Sequence, residues 1–310
     1  MTVAAPGLPT APALDRLERH DGRFPKSLLL LREPPEALWA IGDLALLGGR
    51  MVAIVGSRTP TPYGARVAYD AAHAAARAGL VVVSGMARGL DTRAHRGALD
   101  AGGKTIAVLG SGVDVPYPLS NRDLYADVRA AGLVLSEQEP GSTPHQGSFP
   151  RRNRIIAGLA SCLLVVEGKV KGGTSNTAEW MATLGKPILA VPGRIDEAMA
   201  ENPNQLISEG ATPYLGPQSL LDLFGLRWEG VRDAERRAEA QQLDALLADR
   251  PDLLRAEAAV FDVLSGAPSP LDAIAARTSL EPAALLAALS SLEIKGLAVQ
   301  LPGKNFVLAS

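Results

Sequence analysis

The chain has 310 residues, of which 47% are hydrophobic and 21% charged, enough for one large domain with a buried core and a second, smaller one. Its one cysteine, Cys162, excludes an intramolecular disulfide and fits a reducing compartment, so we expect a cytoplasmic protein. With no run of about 18 apolar residues and no basic-then-apolar start, we expect neither a membrane span nor a secretory signal.

The formal net charge of −2 by itself argues against a nucleic-acid binder, but the charges are unevenly distributed. Residues 50–104 contain eight Lys or Arg and three Asp or Glu, and residues 145–194 contain seven and two. Each of these segments therefore carries a formal charge of +5. This asymmetry is compatible with a basic face within a chain that is nearly neutral overall.

In chain order, residues 1–20 are rich in Pro and Ala at their start and are predicted to be a flexible tail. Residues 21–225 follow as an α/β domain, in which short apolar runs alternate with Ala-rich segments of helical spacing. Because the runs are apolar without alternation and are separated by helices, they predict a doubly wound, Rossmann-like parallel sheet covered on both faces. The predicted strands are MVAIVGS (51–57), LVVVSG (80–85), TIAVLGSG (105–112), LVLSE (133–137), CLLVVEG (162–168) and PILAVPG (187–193).

The composition then changes. Residues 226–253 lose the strand pattern and become rich in charged side chains, which indicates a linker. Residues 254–310 show three helical segments followed by the hairpin pattern LAVQLPGKNFVL (297–308), which predicts a small winged-helix domain. The third helical segment, PAALLAALSSLEIK (282–295), has one lysine at its end, so we expect protein contacts from this domain rather than base readout.

Doubly wound sheets bind their ligands outside the carboxyl ends of the strands. Each predicted strand end carries Gly or Ser, and several of the following loops add a cation: Arg58, Arg88, Lys169, Lys171 and Arg194. At the same edge, SFPRRNRIIAGLA (148–160) begins a helix, with Ser148 as N-cap and Pro150 in the first turn.

Arg151, Arg152 and Arg154 crowd the start of this helix, where cations are unfavourable. A bound anion would explain them, and backbone amides with Arg and Lys make a phosphate-binding surface. The alternative is that these arginines are solvated or paired with carboxylates.

Several familiar sites do not fit this edge. The sequence has no G-x-G-x-x-G after the first predicted strand, no G-x-x-x-x-G-K-[ST] loop and no G-x-S-x-G elbow, and its four histidines are scattered. We therefore predict a binding protein and not an enzyme, with no cofactor and no metal.

Phe149 narrows the class of ligand. A phenylalanine beside three arginines and Asn153 offers a stacking plane next to cations that neutralise a phosphate backbone. Proteins that bind single strands without strict sequence choice use this combination, with stacking worth about 1–3 kcal/mol per base. The alternative is a hydrophobic residue that fixes the start of the helix.

Five longer stretches resemble the successive motifs of the DNA processing protein A family, also called DprA or Smf. The resemblance covers residues 21–216, and the predicted winged helix fits the usual C-terminal domain of the family. The stretches are VAIVGSRTPTPYG, SGMARGLDTRAHRGAL, TIAVLGSGVDVPYPLSN, SEQEPGSTPHQGSFPRRNRIIAGL and NPNQLISEGA. The resemblance implies a single-stranded DNA-binding mediator of homologous recombination in natural transformation (competence). Such a protein dimerises, protects incoming single strands and loads RecA past single-strand-binding protein.

The resemblance also assigns binding residues. The G-S-R motif of the family matches residues 56–58, and its F-P-x-R-N-R motif matches Phe149, Pro150, Arg152, Asn153 and Arg154. Charge and position at the same edge add four more residues. The complete predicted DNA-binding set is Gly56, Ser57, Arg58, Arg88, Phe149, Arg151, Arg152, Asn153, Arg154, Lys171 and Thr174.

Two other functions are left open by the sequence. The stretch GGTSNTAEW (172–180) is similar to the phosphate loop of the cytokinin-activating phosphoribohydrolase (LOG-like) family, with Glu179 in the place of its acid. That similarity implies an enzyme or sensor that binds a small nucleotide. The third hypothesis is a scaffold whose Rossmann-like domain binds only protein, against which the basic edge argues.

Overall fold

The computed structural model describes residues 14–170, 172–228, 251–264 and 267–308. The chain divides into two compact units, the first ending at Trp228 and the second beginning at Glu229. Among its described residues the first unit contains a sheet in the order β1-β2-β6-β5-β4-β3-β7-β8-β9. These strands are β1 (Leu14–Glu18), β2 (Ala37–Gly42), β3 (Met51–Val55), β4 (Val81–Ser84), β5 (Thr105–Leu109), β6 (Leu133–Ser136), β7 (Cys162–Val165), β8 (Ile188–Ala190) and β9 (Thr212–Pro213).

The predicted parallel sheet is confirmed for the strands from β3 onward. Each of them pairs in parallel with its neighbours of that group. The apolar runs of β3 to β7 are fully buried, as expected of strands covered on both faces.

Two antiparallel strands extend the sheet at one edge. β2 pairs with β6, and β1 pairs with β2 in the register Leu14↔Ile41 to Glu18↔Ala37. The prediction of a tail as far as residue 20 is therefore wrong for residues 14–18. The sequence LDRLE is short and charged, as is common at an edge, and it takes up strand structure by pairing with β2 and burying Leu17.

The helices cover the two faces of the sheet. One face carries α1 (Pro62–Arg77), α2 (Leu90–Asp100), α3 (Arg122–Ala131) and α7 (Pro217–Leu221), which pack on Val52, Ile54, Val82 and Val134 among others. The other face carries α4 (Ser148–Leu159), α5 (Gly173–Thr183) and α6 (Glu201–Ser208). Short 3-10 helices span Lys26–Leu30, Leu44–Gly48, Leu119–Asn121, Ala198–Ala200 and Asp222–Phe224.

The second unit has a winged-helix arrangement in its described residues, as predicted. Three helices, α8 (Pro251–Val263), α9 (Leu271–Thr278) and α10 (Pro282–Ile294), precede the hairpin of β11 (Ala298–Leu301) and β12 (Asn305–Leu308). A two-residue strand, β10 (Ser269–Pro270), adds to β12. The core contains Val260, Ile274, Leu289 and Phe306.

The boundaries predicted for the domains stay predictions. Most of the predicted linker, residues 229–250, lies outside the described residues, and α8 begins at Pro251 within its last part. Within the described ranges, no helix combines the length and the hydropathy needed to cross a bilayer.

Candidate functional site

A cavity of about 710 Å³ lies at the carboxyl ends of β3 and β7. β3 pairs with β4 on one side and with β7 on the other. From β3 the chain first builds the sheet in the direction of β4, and it later returns to add β7 on the opposite side of β3. Ligands of doubly wound sheets bind at such a reversal of strand order. We call this space the switch-point cavity. Its lining includes Gly56, Ser57 and Arg58 after β3, Phe149, Arg152 and Asn153 of α4, and Gly168, Lys169, Gly173 and Thr174 around the start of α5.

The loop after β3 is held from both sides. The Ser57 amide donates to the carbonyl of Glu167 at 2.9 Å, and the Leu90 amide donates to the carbonyl of Ser57 at 3.1 Å. A Cβ at Gly56 would lie 2.1 Å from Cδ1 of the fully buried Leu90 and 3.0 Å from the carbonyl oxygen of Glu167, so a larger residue here would displace the packing around the loop. The backbone is thus fixed where Arg58 projects, exposed, at the cavity.

Phe149 lies in the first turn of α4 and is half-buried. The guanidinium carbon of Arg58 lies 5.2 Å from the centre of its ring, and the ring of Tyr117 lies 5.6 Å away at an interplanar angle of 34°. A cation over an aromatic face at this distance is an attractive arrangement. The structure therefore brings an exposed cation and two aromatic rings together at the cavity.

The helix itself begins one residue earlier than predicted. Gly147 is the N-cap, and Ser148 is the first helical residue. The Ser148 hydroxyl donates to the carbonyl of His145 at 2.7 Å instead of accepting from an amide of the first turn. Its interaction is with the preceding loop, which is why the N-cap prediction for Ser148 is wrong.

Arg152 is 6% exposed and holds three elements together. Its Nη1 donates to the carbonyls of Gly85, after β4, and Val108, in β5, while its Nε donates to Oδ1 of Asn153 at 3.2 Å. Burial lowers the pKa of its guanidinium to about 10, although the carboxylate of Asp91 favours the charged form. Most of the hydrogen-bonding capacity of Arg152 is therefore used within the protein.

Asn153 and Thr174 lie where α4 meets the start of α5. Nδ2 of Asn153 donates to the carbonyl of Gly173 at 3.2 Å, which fixes the first turn of α5. The N-cap residue, Gly172, has no side chain with which to cap the amides of this turn. Thr174 is buried, with 8% of its surface exposed. The unsatisfied amides of this turn give the cavity a positive end of a helix. Lys171 lies outside the described residues, and its predicted role stays a prediction.

Arg151 and Arg154 are not brought to the switch-point cavity. Arg154 is 2% exposed, with its Nη2 2.6 Å from Oε1 of Glu137, and Nε of Arg151 lies 3.1 Å from Oε2 of the same carboxylate. Both line a separate groove of about 810 Å³ with Trp39. The pairing with a carboxylate, left open as the alternative, is what the structure shows for these two arginines.

Arg88 lies exposed beside the main cavity. It lines a smaller cavity of about 310 Å³ that also contains Tyr117 and shares Arg58, Phe149 and Arg152 with the switch-point cavity. Tyr117 is 44% exposed and was missed by sequence reasoning, although it follows β5 in the motif VPYPLSN. Lys169 is exposed and lines the main cavity, so its position at this edge, noted from sequence, is relevant to binding.

His95 lies fully buried behind this site, with Nδ1 2.7 Å from Oγ1 of Thr105. Burial, and secondarily the charge of Arg152, lowers its pKa from 6.5 to about 3. The unfolded chain therefore protonates His95 more readily than the folded chain does. The contribution of neutral His95 to the free energy of unfolding is fully present above pH 6.5 and is lost as the pH falls towards about 3.

We expect His95→Gln to flatten this pH-dependent loss of stability in urea unfolding measured over a pH series. The exposed His20→Gln serves as control, and an equally steep decline in both variants would contradict the assignment to His95.

The fold and the site define a Rossmann-like protein with a cation-rich cavity beside aromatic rings, followed in the chain by a winged-helix unit. The family described as DNA recombination-mediator protein A matches residues 16–225, and the DprA winged helix domain matches residues 238–304. The chain belongs to the DNA recombination-mediator protein A family.

Among its relatives, protein Smf of Synechocystis is 33% identical over 94% of this chain and 79% of the relative. A relative from Mycobacterium tuberculosis is 36% identical over 85% of this chain. The match spans 66% of that relative, slightly less than two thirds of its length.

Two solved structures are similar to the chain. DprA of Streptococcus pneumoniae has a TM-score of 0.65 at 38% identity, covering 67% of this chain and 74% of the other. The protein from Helicobacter pylori, whose structure concerns its single-stranded DNA binding mode, has a TM-score of 0.63 at 31% identity, covering 68% and 95%.

Proposed function

We propose that this chain binds single-stranded DNA through the switch-point cavity and acts as a recombination mediator of natural transformation. In that role it protects incoming single strands and loads RecA onto them. The observation that carries the proposal is the exposed Arg58 over the ring of Phe149, at the mouth of a cavity that also receives the start of α5. Family membership and the Helicobacter pylori relative support it.

The phosphate contacts are assigned to groups that are free to reach a ligand. Arg58 and Lys169 are exposed, line the cavity and form no ion pair among the described residues. The amides at the start of α5 add donors without a counter-charge. Arg152 adds positive charge at the base of the cavity, while its Nη1 donates to the carbonyls of Gly85 and Val108. The predicted DNA contacts of Arg88, Arg151 and Arg154 stay predictions.

The aromatic rings favour an unpaired strand as the ligand. Phe149 is half-buried and Tyr117 is 44% exposed, so each ring offers only part of its surface at the cavity. A base can lie against these rings only after it has unstacked from its neighbours in the strand. Paired bases of a duplex cannot do this, whereas the bases of a single strand can, whatever their sequence. We therefore expect duplex DNA to compete poorly for this site.

The proposal extends to partners through the family. A homodimer would join two such cavities, so that a longer strand gains avidity from binding both. RecA and single-strand-binding protein are proposed as the protein partners, and the winged-helix unit as a module for contacts with protein.

The position of Glu179 does not support the alternative function, an enzyme or sensor that binds a small nucleotide. Glu179 is exposed on α5 and is not among the residues that line the switch-point cavity. Its backbone carbonyl accepts from the Thr183 hydroxyl at 2.8 Å, as in an ordinary helix. We propose no catalytic step for this chain.

Binding measured by fluorescence anisotropy of a labelled oligo-dT over a salt series tests the proposal. Affinity should fall steeply with salt, because bound phosphates release counterions, and Arg58→Ala should lower the slope by about one unit. Arg50→Ala is the matched control, since Arg50 also lies over a phenylalanine ring, 5.0 Å from that of Phe224, but outside the cavity. Displacement of oligo-dT by AMP, with duplex DNA as second competitor, would instead favour a mononucleotide site.

A further inference from the structure

A second cavity of about 640 Å³ lies at the same edge of the sheet, at the carboxyl ends of β7 and β8. We call it the apolar pocket. Pro62 and Tyr63, at the start of α1, form one side, and Val191 and Pro192, after β8, form another. Met199 lines both this pocket and the switch-point cavity. The two spaces are therefore neighbours along one edge.

The wall between them belongs to the first unit and is well fixed. The Gly168 amide donates to the carbonyl of Met199 at 2.8 Å, and the Asn202 amide donates to the carbonyl of Gly168 at 3.1 Å. Because Met199 borders both spaces, a strand held in the switch-point cavity has the apolar pocket next to it along the same edge.

The chemistry of the apolar pocket is opposite to that of its neighbour. Its buried polar group is the carboxylate of Glu167, 5% exposed, which accepts from the Thr61 amide at 2.9 Å and from the Thr61 hydroxyl. Each oxygen of the Glu167 carboxylate can accept one more hydrogen bond. Glu197 adds a second carboxylate to the lining. Arg194 lines the pocket as well, but its guanidinium is paired with Asp196 at 2.6 Å. These negative groups disfavour a phosphate, whereas an uncharged flat ring with N–H donors satisfies both the apolar walls and Glu167.

We propose that the apolar pocket receives an unstacked base of the same single strand whose phosphates lie in the switch-point cavity, and that Glu167 accepts hydrogen bonds from the edge of that base. This inference rests on the proposed function. Tyr63, 49% exposed, provides a ring against which the base can lie.

The carboxylate makes the pocket selective. Guanine presents a ring N–H and an amino group side by side, which suits the two oxygens of Glu167. Thymine presents one N–H between two carbonyls, whose oxygens would face the carboxylate. The pocket therefore favours guanine and disfavours thymine, even though the phosphate contacts are indifferent to sequence.

Anisotropy competition with a short oligo-dT, and with the same oligonucleotide carrying one dG, tests this preference. We expect the dG-containing strand to bind roughly tenfold more tightly. Replacement of that dG by deoxyinosine, which lacks the amino group, should lose part of the gain, and replacement by an abasic nucleotide should lose all of it.

Two variants connect the preference to the pocket. Glu167→Gln should abolish the gain from dG while the salt slope, which reports the phosphate contacts, stays the same, with Glu197→Gln as the matched control at a second carboxylate. Because Glu167 also receives bonds from Thr61 at the start of α1, Tyr63→Ala provides a test away from that contact, with Tyr69→Ala as its control.

The failures of the two proposals are distinguishable. Salt-sensitive binding of oligo-dT without any gain from dG would overturn the base pocket and leave the proposed function intact. A gain from dG that persists in both Glu167→Gln and Tyr63→Ala would place the preference elsewhere and also overturn it. Absence of salt-sensitive binding to either strand would overturn both proposals together.

Discussion

Replacement of Arg152 by alanine is expected to lower the free energy of unfolding by about 3 kcal/mol or more. The substitution removes the donors to the carbonyls of Gly85 and Val108, which then lie buried without those partners. It also leaves the buried carboxylate of Asp91 without the positive charge that favours its ionised form. Urea unfolding at neutral pH, followed by circular dichroism, measures this loss.

Arg151→Ala is the matched control, because Arg151 is the neighbouring residue of α4 but its side chain is 59% exposed. Its ion pair with Glu137 should contribute about 1 kcal/mol or less. Arg152→Lys should not restore stability, since an ammonium group cannot reproduce the planar fork of donors. If Arg152→Ala were as stable as Arg151→Ala and lost only DNA affinity, Arg152 would be a ligand-binding group and not a structural one.

The sequence predicts the centre of the sheet better than its edge. Runs such as MVAIV and CLLV are apolar throughout, and burial on both faces produces that pattern directly. β1 and β2 lack it, because they lie at the antiparallel edge and alternate only weakly, as LDRLE shows. β2 joins the sheet by pairing with β6, a contact distant in sequence that a local pattern does not contain, and β1 then pairs with β2.

The arginines of α4 show a different limit. Read as a run, Arg151, Arg152 and Arg154 form one cationic cluster, but successive helical residues turn by about 100°. Arg152 therefore shares a face with Phe149, whereas Arg151 and Arg154 point to the opposite side, towards Glu137. The helical period alone could have separated them. That the Arg152 guanidinium donates to the carbonyl of Gly85, after β4, and to that of Val108, in β5, could not be read from the sequence, because those acceptors belong to the backbone.

The cavity also unites groups from distant segments. Tyr117 lies beside Phe149 only because β5 and α4 meet at the same edge, and Arg58 reaches the Phe149 ring from the loop after β3. The motifs of the family contain all three residues, but the motifs do not state that they touch.

Phe149→Ala is expected to weaken binding to oligo-dT by about 1–3 kcal/mol, which corresponds to a loss of roughly fivefold to 150-fold in affinity. The ring supplies a stacking surface and also positions Arg58, so its loss affects both base and phosphate contacts. Phe149→Trp should retain most of the affinity, because it preserves an aromatic face. Anisotropy titrations of the two variants and of Leu119→Ala, a 78% exposed residue outside the cavity lining, measure these effects.

The double variant Arg58→Ala/Phe149→Ala completes a cycle with the two single variants. We expect the two losses to be less than additive, because either substitution alone already breaks the contact between the guanidinium and the ring. Urea unfolding of Phe149→Ala is needed as well, since the ring packs near Gly110, where a Cβ would lie 3.1 Å from Cδ1 of Phe149. If the folded Phe149→Ala bound oligo-dT as tightly as the unaltered chain while Arg58→Ala did not, the strand would be held by its phosphates alone and the stacking contact would have to be abandoned.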